Sequence, residues 1–170
     1  MARVSRSNKR FRTKRQMAED VASALTSSMT YGGKHSVLSE VCWSWTEFTG
    51  KIRGCPYWTE LALLQRFKDP KAKVRHEHVV PIRVVINILF DLHLPTADNV
   101  FEILDRLLIG VVVDESEDDC LNVEFPADMP PEFFDPTSLS FRDPWLRYRR
   151  LPDIKVVPRP PLAIANDSRN

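Results

Sequence analysis

The chain has 170 residues, 43% of them apolar, with 24 Lys and Arg against 23 Asp and Glu. That size and apolar content suit one domain with tails and exclude a globally disordered chain. Three cysteines without a CxxC pair argue against a disulfide framework or zinc ribbon, and no run approaches the ~18 apolar residues of a membrane span, so a reducing, cytoplasmic setting is expected.

The chain opens with a basic arm over residues 1–13. Together with the start of the first helix it carries Arg3, Arg6, Lys9, Arg10, Arg12, Lys14 and Arg15 and no acid. Clustered cations of this kind release counterions from DNA or RNA, so the arm is a candidate phosphate-contacting element. A globular body is expected over residues 14–157. Met17, Val21, Leu25 and Met29 recur every four positions and predict a helix from Lys14 to Tyr31, ended by Gly32-Gly33. Ser36 is the expected cap of a second helix with Leu38, Val41, Cys42, Trp45 and Phe48 on one stripe, closed near Gly50. Trp43 falls off that stripe and is assigned to a wide buried face. Pro56 opens a third expected helix, which Asp69-Pro70 stops.

Val74 to Leu94 is the centre of the pattern. If Val74–His78 is extended, His76 and His78 share one face. From Pro81 the chain is apolar except at Arg83, Asn87 and Asp91, which form one narrow ridge on a buried helix over about residues 81–93. Thr96 can cap a further helix over residues 98–109. Residues 110–125 read as a β-hairpin: the strand IGVVVD, the acidic turn ESEDD and the returning strand CLNVEF. A proline-punctuated loop anchored by Phe133, Phe134 and Phe141 follows. Then come one or two helical turns over WLRYRR, a short strand at IKVV and a Pro-rich tail over residues 158–170. The expected fold is α+β, with four or five helices around the central one and a small antiparallel hairpin at one side.

Glu77-His78-Val79-Val80-Pro81 resembles the opening motif of the HNH (ββα-metal) nucleases. The resemblance implies His78 as general base on a water and Glu77 as ligand to magnesium or manganese, with Asn99 of Asp98-Asn99-Val100 as the middle element. A separate reading takes His76 and His78 as a zinc pair. A third treats the cluster as a buried polar knot in which Glu77 pairs with Arg75 or Arg83.

Three functions follow. The first is a small binding protein that meets DNA, RNA or a nucleic-acid-handling complex through its arm and the Arg147, Arg149 and Arg150 cluster. The second is a divergent metal-dependent nuclease using Glu77, His78 and Asn99, with His76 at hand for the metal. The third is an adaptor or inhibitor presenting an acidic surface to a basic protein partner. Residues 98–135 carry twelve acids against Arg106 alone, and residues 114–135 are the segment expected to engage.

Overall fold

The helix α4, Ile82–Phe90, is wrapped on every side but one: Val84, Val85, Ile86, Ile88 and Leu89 are buried, while Arg83, Asn87 and Asp91 face solvent. The ridge read from the four-residue spacing is therefore the exposed edge of an otherwise enclosed rod. Pro81 is its N-cap residue rather than its first helical residue. The computed structural model describes residues 12–159.

Around α4 lie α1 (Lys14–Thr26), α2 (Tyr31–Thr46) and α5 (Ala97–Leu107). Met17 and Val21 of α1, Leu38, Val41 and Trp45 of α2 and Val100 and Leu104 of α5 close one continuous core with α4. The caps explain where these helices begin. Thr13 forms a capping box with Gln16, and Thr96 forms another with Asn99. The long first helix expected to reach Tyr31 instead breaks at Ser27, whose backbone is extended. Thr30 then accepts the Gly33 N–H and starts α2, so Gly32 and Gly33 lie inside that helix and Ser36 does not cap it.

Four short strands form a mixed sheet in the order β2–β3–β1–β4. They are β1 (Tyr57–Thr59), β2 (Val74–His78), β3 (Gly110–Asp114) and β4 (Val156–Pro158). β1 runs parallel to β3, with Tyr57 opposite Val111. β2 runs antiparallel to β3, from Val74 opposite Asp114 to His78 opposite Gly110. β4 lies antiparallel to β1 on the far edge. The fold is α+β, as expected. No helix among the described residues is long and apolar enough to cross a membrane.

The hairpin expected over residues 110–125 is not formed. β3 pairs with β2 and β1, and the chain then enters helix α6, Glu115–Glu124. Asp114 accepts the Ser116 N–H, and the Glu117 side chain reaches back to the Asp114 N–H, completing a capping box. Glu115, Glu117 and Asp118 occupy the first turn, where the helix dipole favours negative charge. What resembled an acidic turn is a helix start. Pro56 likewise precedes a strand rather than opening a helix, and Thr59 caps α3 (Glu60–Lys68).

Alternation along β3 sorts the helices onto the two faces of the sheet. Val112 packs with Trp58, Cys55 and Ala62 of α3. Val111 and Val113 pack with Leu121 of α6, Tyr148 and Ile154 on the other side. The helical turns expected near the end form α7, Leu146–Arg150, on the α6 side.

Candidate functional site

β2 lies at an edge of the sheet, and its pleat divides the reactive cluster. His76 and His78 share one face with ring centroids 5.3 Å apart, as the extended reading requires. Arg75 and Glu77 project to the other face. His78 is buried, with Nε2 3.0 Å from the Thr46 hydroxyl and the Trp43 ring set edge-on at 4.5 Å. Trp43 itself is 43% exposed, so the wide buried face assigned to it is corrected. Both ring nitrogens of His76 are buried without a hydrogen-bond partner. A Cβ on Gly110 would sit 2.4 Å from His76 Nε2, so the lack of a side chain there makes room for the imidazole beside β3.

Burial pushes His78 down to about 3, helped by His76 and Lys51, and it lowers His76 as well. Both imidazoles are neutral at pH 7. A general base works best with a pKa near the operating pH, and His78 lies far below it.

On the opposite face Glu77 is enclosed. Arg147 Nη1 donates to one carboxylate oxygen at 2.8 Å, and the Tyr148 hydroxyl donates to the other at 2.8 Å. Arg147 is 1% exposed and also reaches the His78 carbonyl at 3.4 Å. Burial pushes the Glu77 carboxyl up to about 7, against the pull of both donors. The expected pairing of Glu77 with Arg75 or Arg83 is thus replaced by Arg147. Arg75 instead fans over α6 to Asp118, Asp119 and Glu115, and Arg83 reaches Asp128.

Of the proposed nuclease residues, Asn99 stands apart from the others. Asn99 is held at the start of α5, accepting from the Thr96 N–H and donating to the Leu94 carbonyl at 2.8 Å. A shallow cavity of about 330 Å³ is lined by Trp43, His76, Glu77, His78 and Arg147, but Asn99 does not line it. Glu77 has both oxygens engaged and lies across the strand from either imidazole. The residues therefore do not fit a divalent cation shared by Glu77 and His76 or His78. Among the described residues no three His, Cys, Asp or Glu side chains gather in a metal-holding group.

The basic residues assigned to nucleic acid also change character. Arg147 is a core residue, so its place in a phosphate-binding cluster is withdrawn. Arg149 and Arg150 pair with Asp143 and Glu132. Arg12 pairs with Asp20 and Glu40, Lys14 with Asp105, and Arg15 with Asp98 and Glu19. Exposed pairs such as these are worth only about 0–1 kcal/mol, but they neutralise the local field. Arg3, Arg6, Lys9 and Arg10 lie outside the described residues.

A second site, absent from the sequence reading, lies where α3 and α6 leave the carboxyl ends of the parallel strands β1 and β3 toward opposite faces. In open sheets such a parting of the chain leaves a crevice. Here it is a cavity of about 510 Å³ whose lining includes Leu61, Leu64, Cys120 and Ile154, with Glu60 and Asp153. Glu117 also lines it and accepts the Thr59 hydroxyl, and burial raises the pKa of its carboxyl. Cys120 is exposed, whereas Cys42 and Cys55 are buried. The signal that leads here is Asp114-x-x-Glu117: read as a capping box, it turns the hairpin into a strand–helix unit, β3 followed by α6. Comparisons with protein-family models, curated proteins and solved structures give no match for this chain.

Proposed function

We propose that the chain is a non-catalytic binding protein, an adaptor or inhibitor that presents an acidic surface around α6 to a basic protein partner. The observation that supports this reading is the charge of α6: five carboxylates in ten residues, three of them answered by the single guanidinium of Arg75. A surface of one sign steers and selects a partner of the other. The nucleic-acid alternative has lost Arg147 to the core, and the nuclease alternative has both Glu77 oxygens taken by Arg147 and Tyr148 and lacks Asn99 at the cavity. A cytoplasmic setting fits three free thiols.

The test must avoid Asp114, Glu117 and Asp118, the first a helix cap and the others buried. Asp119 and Glu124 are exposed on α6. The double variant Asp119→Lys, Glu124→Lys should keep the urea midpoint of the wild type. Its affinity for a fluorescent Lys/Leu peptide should fall roughly five- to tenfold in low salt. Tight, steeply salt-dependent binding of duplex DNA or RNA with no peptide binding would put the nucleic-acid reading in its place. Magnesium- or manganese-dependent plasmid cleavage lost in His78→Ala would restore the nuclease.

A further inference from the structure

We infer that the crevice between α3 and α6 docks an amphipathic cationic helix of a partner protein. The inference rests on the adaptor reading and assigns it a site. Its walls are two helical stripes. On α3, Glu60, Leu64 and Phe67 stand at positions i, i+4 and i+7. On α6, Ser116, Cys120 and Val123 do the same.

Leu64 and Cys120 line the cavity, and one turn further out stand Phe67 and Val123, 88% and 82% exposed. A lone exposed apolar side chain on a protein surface is ordinary. Here two of the most exposed ones extend the two walls of one cavity whose floor includes Leu61 and Ile154. The volume, about 510 Å³, holds a few side chains of a docked segment.

Charge selects the occupant. Glu60, Glu117 and Asp153 line the crevice against Lys155 alone. The two helix N-termini that open here would ordinarily attract an anion. Several of their N–H groups are already taken, by Thr59, the Lys155 carbonyl and the Asp114–Glu117 capping box, and acids stand in both first turns. An anion is therefore repelled and a cation is attracted.

Backbone geometry selects the form. β1 and β3 are each paired on both sides, so no strand edge is open at the crevice for an extended peptide to join. Recognition must run through side chains, as in helix-in-groove binding, with apolar anchors at helical spacing and Lys or Arg flanking them.

Cys120 reports on occupancy, because it lines the crevice and is the exposed thiol of the three. The full-length protein is alkylated with iodoacetamide and followed by mass spectrometry, alone and with a helical Leu/Lys peptide, while peptide binding is measured separately by fluorescence anisotropy. The expected result is a Cys120 alkylation rate slowed by about tenfold or more at saturation, with no slowing by the Leu/Glu counterpart. Leu64→Ser and Phe67→Ser should each weaken the peptide about tenfold and leave the urea midpoint unchanged. Peptide binding without protection of Cys120, and unaffected by Leu64→Ser, would overturn the crevice while leaving the adaptor reading standing. Absence of any cationic-peptide binding would overturn both. Equal protection by spermine would make the ligand a small polyamine, and concentration-dependent protection without peptide would make the occupant a second copy of this chain. Either result defeats the inference.

Discussion

Strand β2 and the α3–α6 crevice hold the same kinds of side chain in opposite states. At β2 the carboxylate of Glu77 is bonded at both oxygens, the guanidinium of Arg147 is fully buried and His78 is tied to Thr46. At the crevice Glu60 and Asp153 are exposed and form no ion pair among the described residues, and the apolar ends of the walls stand in water. The difference is one of availability. A buried polar group that already has its partners stabilises a geometry, and an open one can be recognised by something else. The Glu77–Arg147–Tyr148 side of the reactive cluster is for that reason scaffold, His76 on its other side keeps two ring nitrogens without a partner, and the plainer surface is the reachable part.

The comparison breaks first, if it breaks, on pH. His78 has a depressed pKa in the folded state, so its neutral form contributes stability that is complete above about pH 6.5 and is lost as pH falls toward 3. Glu77 acts with the opposite sign: its raised pKa favours the folded state below about pH 4.5, and that contribution disappears as pH rises through 7. Comparing wild type with His78→Gln separates the two, since both proteins keep Glu77. The wild-type advantage should shrink by up to about 4 kcal/mol between pH 7 and 3. Urea titrations at stepped pH read it directly. Parallel curves would mean that His78 is open to solvent and that the two regions do not differ as described.

Gly110→Ala sharpens the same contrast at a smaller scale. The added methyl meets His76 Nε2, so the imidazole must shift, and a cost of about 1–3 kcal/mol is expected by chemical denaturation. Adding His76→Ala should recover much of that loss. If the single substitution is neutral, the imidazole does not lie beside β3. Smaller still, Asp114→Ala removes the α6 cap and should cost about 1 kcal/mol, with the loss visible as fraying of α6 in amide exchange. Protection of α6 amides equal to wild type would show that the capping box does not hold the wall of the crevice.

Much of this architecture was legible in the chain, for identifiable reasons. The ridge Arg83, Asn87, Asp91 stands out because a four-residue spacing has one meaning on a helix, and the shared face of His76 and His78 follows from the pleat. The α6 helix was not, because ESEDD offers the composition of a turn. Only the reciprocal bonds of Asp114 and Glu117 decide for a helix. The partner of Glu77 was equally hidden: Arg147 lies 70 positions away and resembles a surface cluster with Arg149 and Arg150 until the fold turns it inward. Local spacing carries element type. Long-range pairing of charges depends on topology, which local spacing does not carry.

The most direct test is the double-mutant cycle of Glu77→Leu and Arg147→Met, followed by urea unfolding at pH 7. Each single change leaves a buried polar partner unanswered and should cost about 3–5 kcal/mol, while the pair together should cost well below the sum, with a coupling of about 2 kcal/mol or more. Additive losses of under about 0.5 kcal/mol each would show that the two side chains do not hold one another in the core, and the division between scaffold and open surface would fail with them.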